Sequence, residues 1–177
     1  MSEYNSLEQI RLQKIIDLRA AGVEPYPTRA ARTHTAAKAI SEFETAEAAA
    51  NGGPIEEIKV TLTGRIRAAR AMGKLTFAHI EDGTGKIQLF LRINELGQEQ
   101  ISFFDKMFDI GDFVQASGLM MRSRTGEITL HVHEFSMLSK AVSPLPADKD
   151  VKQEDGSVIR YSALEGAELR ARQRYSD

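Results

Sequence analysis

An aromatic ring and an amide that share one direction are the side chains of this sequence best suited to hold a nucleobase. In the second strand-like run, Ala78 and Ile80 alternate with Phe77 and His79, so the latter pair faces solvent if the former faces a core. Gln88 takes the same outward direction on the next run. A phenyl ring stacks on a base and an amide hydrogen-bonds to the base edge. The pattern alone also allows Phe77 to belong to a minor core.

Two more side chains are predicted to point outward, and each has two possible roles. Phe90 has the parity of Gln88, so it is either covered by another element or a second stacking platform. Glu127 has the parity opposite to that of Ile128. Its carboxylate either accepts a hydrogen bond from a base or is a charge at a hairpin edge.

His131 and His133 lie two residues apart, a spacing that would allow both to bind one metal ion. No carboxylate or cysteine completes such a site in the sequence, so two solvated histidines are expected and no metal site is predicted. The sequence also lacks a phosphate-binding glycine loop, a nucleophile elbow and a zinc-protease motif. No catalytic residue is predicted.

Charge is distributed unevenly although 23 basic and 25 acidic residues nearly cancel. Residues 59–92 contain seven basic and two acidic side chains, whereas residues 93–118 contain one basic and five acidic. A basic strand surface opposite an acidic helical side suits a polyanion, because phosphate contacts supply much of the affinity for nucleic acid. A solvated charged surface is the alternative.

The 177 residues are 42% hydrophobic, without cysteine, which predicts one soluble domain with extensions and excludes a disulfide framework. No apolar run reaches membrane-spanning length, and the N-terminus lacks the pattern of a secretory signal. We therefore expect a cytoplasmic protein without membrane insertion.

Helical spacing of apolar residues predicts a helix from Leu7 to Ala21, with Gly22 at its C-terminus and an extended exit through two prolines. A second, weaker helix is predicted from Thr35 to Ala50, with Thr35 as its cap. These helices must sit beside the strands that carry the outward residues.

Period-two alternation predicts five strands, with a helix from Asn94 to Phe108, capped by Asn94, between the third and the fourth. This order is that of the OB-fold, so the fold class is mainly β with flanking α: a five-stranded Greek-key barrel plus N-terminal helices. A charged linker at residues 147–156 and a helical segment at residues 164–175 follow. The predicted strands are Lys59 to Ala69, Lys74 to Glu81, Lys86 to Arg92, Asp112 to Met121 and Glu127 to Leu138.

A series of motifs follows one order along the chain. The motifs are RLQKIIDLRAAGVEPYP at residues 11–27, GRIRAARAMGKLTFAHIED at 64–82, GKIQLF at 85–90, DIGD at 109–112, RTGE at 124–127, SPLP at 143–146 and RARQRY at 170–175. This series resembles the N-terminal region of bacterial-type lysyl-tRNA synthetases. The resemblance implies a class II aminoacyl-tRNA synthetase whose N-terminal OB domain binds the tRNA anticodon. It also implies a catalytic domain that uses ATP and Mg²⁺, and a homodimeric full-length enzyme.

The resemblance assigns roles to individual side chains. It implies that the middle anticodon uridine stacks on Phe77 and that Gln88 reads its edge, which agrees with the alternation argument. The remaining residues implied in the anticodon surface are Arg70 at the end of strand one, Glu127 at the start of strand five, Arg65 as a phosphate contact or loop support, and Lys74 and His79 as possible additional contacts.

The expected domains are a helical extension at residues 1–57, an OB domain at 58–140 and, at 141–177, a linker with the start of a catalytic domain. Residues 29–54 match the family poorly, and the class II ATP- and lysine-binding motifs would lie beyond the chain. We therefore expect an inactive segment, either an excised domain, which we favour, or a stand-alone paralogue. Alternative functions are a general single-strand binder, an aspartyl- or asparaginyl-type anticodon domain, and a dimerisation domain whose first helix faces a partner.

Overall fold

The computed structural model describes residues 5–143 and the backbone of two further strands. Contacts within the chain divide it into the units Met1–Val142 and Ser143–Asp177. Among the described residues, no helix combines the length and the hydropathy that a membrane-spanning helix needs. The elements are α1 (Ser6–Ala20), α2 (Ala36–Ala50), β1 (Lys59–Met72), β2 (Leu75–Glu81), β3 (Lys86–Arg92), α3 (Ile93–Leu96), α4 (Gln98–Met107), β4 (Phe113–Arg122), β5 (Ile128–Ser139), β6 (Lys149–Lys152) and β7 (Val158–Tyr161).

The first five strands close into a barrel in the order β1-β2-β3-β5-β4. Strands β3 and β5 pair in parallel, and the other neighbours pair antiparallel. The helices α3 and α4 lie in the connection between β3 and β4, which makes that parallel pairing possible. The predicted five-stranded barrel with a helical insertion after its third strand is confirmed.

Apolar side chains of alternating parity fill the barrel, as period-two strands require. Leu62, Ile80, Leu89 and Val132 are among the residues with almost no exposed surface. Gly118 sits where β4 and β5 shift register, and a Cβ there would lie 1.9 Å from the carbonyl oxygen of His131. Glycine is therefore required for the two backbones to approach so closely.

Helix α1 is attached to the barrel by its polar face as much as by its apolar one. Asn5 and Glu8 form a capping box at its start, and only Ile15 and Leu18 are buried. Lys14 donates to Asp109 at 2.8 Å, and the buried Lys140 donates to the same carboxylate. This cluster anchors the helix, which begins and ends one residue earlier than the sequence predicts.

Helix α2 gives residues 29–54, which match the resembled family poorly, a clear structural role. Its predicted cap is confirmed, since Thr35 accepts from the amide of Lys38. Asp82, in the turn between β2 and β3, accepts from the amide of Ala36 at 2.9 Å. Phe43 is buried in the same core as the barrel residues. The helix therefore packs on the barrel and is capped by one of its turns.

Several predicted ends, including those of β4 and β5, are shifted by one residue, and larger errors occur at the end of β1 and in the predicted helix after β3. Strand β1 continues to Met72, because its hairpin with β2 pairs Met72 with Leu75. The predicted single helix is two, since Gly97 with φ 84° separates α3 from α4, and Arg92 rather than Asn94 occupies the N-cap position.

Part of the predicted linker is also structured. Strand β6 lies within the predicted linker at residues 147–156, and it pairs antiparallel with β7, which follows that linker. The predicted helical segment at 164–175 lies outside the described residues.

Candidate nucleic-acid interface

A groove of about 890 Å³ lies on the outer face of the β1-β2-β3 sheet, beside the β4–β5 turn. Its floor is formed by side chains of adjacent strands and its wall by the turn, so residues distant in sequence converge on it. We call it the outer groove. Its lining residues include Arg70, Phe77, His79, Gln88, Phe90, Arg92 and Arg124.

A row of rings crosses the floor of the outer groove. Strand register places Arg70 opposite Phe77, Phe77 opposite Phe90, and Phe90 opposite His131. The rings of Phe77 and Phe90 stack with centroids 5.1 Å apart and an interplanar angle of 28°. The ring of His131 continues the row at 5.5 Å from that of Phe90, outside the residues that line the groove. Because Phe77 and Phe90 are only half-buried, part of their surface remains open to a ligand.

Beside this row, a hydrogen-bonded cluster holds an amide in one orientation. Gln88 Nε2 donates to Glu127 Oε2 at 2.8 Å, and Gln88 Oε1 accepts from the hydroxyl of Thr129 at 3.0 Å. The other oxygen of Glu127 lies 2.9 Å from Nε2 of His79. An ionised carboxylate can only accept, so Glu127 fixes which end of the amide carries the donor.

The predicted direction of Gln88 is correct, but its predicted accessibility is not. It lies on the outer side with His79, its partner in the register, yet only 8% of it is exposed. The cover comes from its neighbours Glu127 and Thr129, which strand alternation on β3 alone does not reveal. A ligand can reach only the edge of this amide that faces the groove.

Cations border the outer groove on three sides. Arg70 belongs to β1, Arg92 to the end of β3 and Arg124 to the β4–β5 turn. Among residues 5–143, none forms an ion pair with Arg70 or Arg124 within 4.0 Å, so both guanidinium groups can bind an anion. Burial, together with the nearby His133, lowers the pKa of His131, which keeps that imidazole neutral near pH 7.

The structure brings five of the seven predicted site residues together: Arg70, Phe77, His79, Gln88 and Glu127. Arg65 is not among the lining residues, and its guanidinium lies 4.8 Å from the centroid of the Phe113 ring. Lys74 lies in the β1–β2 turn and is exposed. RNA contacts by Arg65 and Lys74 stay predictions.

Sequence reasoning missed four residues in and around the outer groove. Arg92 has the parity of Gln88 and Phe90 on β3, so alternation contains the signal for it. Thr129 reaches Gln88 through the pairing of β5 with β3, and Arg124 reaches the groove through the turn that precedes β5; a pattern within one strand shows neither. Glu95 comes beside His131 and His133 only through the folded path of α3.

Comparison with known proteins agrees with this geometry. Residues 60–138 match the tRNA anticodon family, described as an OB-fold nucleic acid binding domain. This barrel is an OB-fold. The matched range runs from the first residues of β1 to the end of β5, so the OB-fold includes every strand of the outer groove.

The sequence resemblance to lysyl-tRNA synthetases is also confirmed. The chain is 43% identical over 176 residues to the lysine–tRNA ligase of Chloroflexus aurantiacus, which is 99% of this chain and 32% of that protein. It is 39% identical over 175 residues to the enzyme of Pelotomaculum thermopropionicum, covering 99% of this chain and 30% of the other. The chain thus spans about a third of the length of the curated relatives it matches.

Proposed function

We propose that this OB-fold binds the anticodon of a lysine-type tRNA and holds its middle uridine in the outer groove. The observation that carries the proposal is the half-buried Phe77 ring beside the fixed amide of Gln88. A flipped base needs a stacking surface and a hydrogen-bonding edge side by side, and the groove provides both.

The orientation of the amide favours a uracil over a cytosine. Gln88 Nε2 has a second hydrogen besides the one donated to Glu127, and Oε1 has a second lone pair besides the one used by Thr129. These groups complement the O4 acceptor and N3–H donor of uracil. Cytosine presents the reverse pattern, and the amide could match it only by turning its oxygen toward the Glu127 carboxylate.

The cations around the groove supply affinity that does not depend on the base. Arg70 and Arg124 flank the aromatic row from the β1 side and from the turn. Their guanidinium groups suit the phosphates on either side of a flipped nucleotide. Stacking and the amide edge then add the sequence-dependent part.

On the scale of the whole protein, we propose that this chain is the anticodon-binding part of a cytoplasmic, homodimeric, class II lysine–tRNA ligase. Such an enzyme would use ATP and Mg²⁺ in a catalytic domain. Residues 5–143 do not fit these groups: the closely spaced carboxylates of Asp109 and Asp112 are already bonded to Lys140. We therefore assign no ATP contact to them and expect this segment alone not to activate lysine.

The proposal is tested with fluorescent anticodon stem-loops and two matched variants. Replacing the middle uridine should remove the binding preference of the wild type. Phe77→Ala should weaken binding by about 1–3 kcal/mol, the scale of one stacked base. Phe103→Ala is the control, because this half-buried ring contacts Phe108 outside the groove and its loss should leave RNA affinity unchanged.

Other outcomes would select other functions. Equal affinity for all middle bases would indicate a general single-strand binder, and a preference set by the flanking bases would indicate an aspartyl- or asparaginyl-type domain. A dimerisation function is favoured by the exposed Leu7, Ile10 and Ile16 of α1, which are 56%, 55% and 59% accessible. Concentration-dependent oligomerisation without any stem-loop binding would support that function instead.

A further inference from the structure

Two histidines and a glutamate converge at the end of the aromatic row. His131 and His133 lie on β5, and Glu95 comes from α3, which packs against that strand. One ligand atom from each of the three lies within 4.8 Å of the other two. We propose that Glu95, His131 and His133 form a binding site for a divalent transition metal ion, with Zn²⁺ as the ion best suited to it.

The donor set decides which class of ion fits. Two imidazoles with one carboxylate suit Zn²⁺ and its transition-metal neighbours, whereas Mg²⁺ and Ca²⁺ prefer oxygen ligands throughout. Three protein ligands leave the fourth tetrahedral position for water or a substrate oxygen. This reverses the sequence expectation of solvated histidines, because the third ligand is supplied by a residue 36 positions before His131.

The geometry is close to that of a tetrahedral site without being fully closed. Bonds of about 2.0–2.1 Å in a tetrahedron place ligand atoms about 3.3 Å apart. Glu95 and His133 are exposed, so both side chains can move the remaining distance. His131 is more enclosed and its ring packs against that of His133 with centroids 5.1 Å apart, which makes it the fixed member of the set.

The state of His131 supports the assignment independently. Its Nε2 is buried and has no hydrogen-bond partner among the described residues. Buried polar atoms are normally paired because an unpaired one destabilises the fold, so this nitrogen lacks an interaction that buried histidines usually make. The nearby Arg92 opposes a bound cation and should keep this site weaker than a four-ligand structural zinc site.

The position of the site links it to the outer groove. His131 does not line the outer groove, but its ring is next to that of Phe90, which does. A metal ion here would therefore lie beside the groove in which we propose that a base stacks. With the ion bound, the charge of the cluster changes from about −1 to about +1. An open coordination position beside the groove would then be available to a phosphate oxygen.

Isothermal titration with Zn²⁺ and the visible spectrum with Co²⁺ test the site on the chain as it stands. We expect one equivalent to bind and Co²⁺ to give the absorption of tetrahedral coordination by nitrogen and oxygen. Glu95→Gln and His133→Asn should each lower the affinity by roughly tenfold or more, because three ligands become two. Circular dichroism checks that both exposed substitutions leave the fold intact.

Matched controls separate this site from scattered surface binding. Glu99→Gln removes an exposed carboxylate of the neighbouring helix α4, and His34→Asn removes a histidine outside the cluster. Both should keep the wild-type affinity. Absence of binding to the folded wild type at saturating Zn²⁺, or an affinity unchanged in both ligand variants, would overturn the proposal. Because the readouts need no RNA, either result leaves the proposed anticodon function to its own test.

Discussion

At the scale of single residues, Glu127 holds the amide of Gln88 in one orientation, and under the proposed function this orientation selects the base. Glu127→Gln replaces an obligatory acceptor by a group that both donates and accepts, so the amide of Gln88 can then adopt either orientation. We expect the preference for uridine over cytidine at the middle position to fall by about 1 kcal/mol, or roughly fivefold, with little change in the affinity for uridine.

Titration of wild type and Glu127→Gln with stem-loops that differ only at the middle base measures this. Thr125→Ala, which changes a neighbouring residue in the same turn that lines the groove, should keep the wild-type preference. If Glu127→Gln instead weakened both stem-loops equally, Glu127 would act as a general contact and not as the group that orients Gln88.

Whether the sequence predicts a site residue depends on how far apart in the chain the interacting residues lie. Phe77 and Gln88 were predictable because period-two alternation fixes side-chain direction within a strand. Their cover was not, because Thr129 reaches Gln88 through the parallel pairing of β3 and β5, strands that are 35 residues or more apart. Glu95 was not predictable as a neighbour of His131 for the same reason. The local sequence pattern predicts the direction of a side chain, whereas its neighbours depend on the tertiary fold.

At the scale of elements, the attachment of α1 to the barrel depends on ionised groups and should weaken in acid. Burial by itself would raise the pKa of Asp109, but hydrogen bonds from Lys14 and Lys140 outweigh it and hold that pKa below its ordinary value. A carboxyl whose folded pKa is lowered stabilises the fold fully above its unfolded pKa of about 3.9. That contribution is lost as the pH falls from there through the folded value.

Urea unfolding as a function of pH tests this for wild type and Asp109→Asn. At neutral pH the variant should be less stable by about 2 kcal/mol, the scale of hydrogen bonds to a charged group. The difference in the free energy of unfolding should then shrink as the pH falls below about 4. The wild type loses the stabilisation by ionised Asp109, which the variant lacks at every pH. A difference that stays constant into acid would mean that Asp109 acts through packing alone.

The element boundaries show where local pattern stops being decisive. The spacing of Leu96, Ile101, Phe104 and Phe108 fits one helix, but Gly97 with φ 84° ends α3 before α4 begins. Strand β1 was predicted three residues short because its end is exposed on both sides and no longer alternates. Helix α2 was predicted correctly in extent, although nothing in its composition indicated that Phe43 joins the barrel core.

At the scale of the whole molecule, a net charge of −2 is the sum of surfaces that differ in charge: an acidic helical side and a basic outer groove. The acidic residues of the helical side are partly neutralised within the fold, as Asp109 and Asp112 are by Lys140. The arginines of the outer groove are not: Arg70 and Arg124 have no carboxylate partner among residues 5–143. The chain can therefore attract a polyanion to one face while its overall charge is slightly negative.

This unequal distribution of charge predicts how RNA binding depends on salt. Each phosphate contact with a single strand contributes about 0.7 to the slope of log affinity against log salt. Arg70→Ala and Arg124→Ala should each reduce the slope by about that amount and weaken all stem-loops alike, since phosphate contacts carry no base information. Arg19→Ala, which removes an exposed cation of α1 outside the groove, should leave the slope unchanged. If Arg70→Ala lost affinity with an unchanged slope, the guanidinium of Arg70 would contact a base and not a phosphate. The outer groove would then recognise base edges through Arg70 as well as through Gln88.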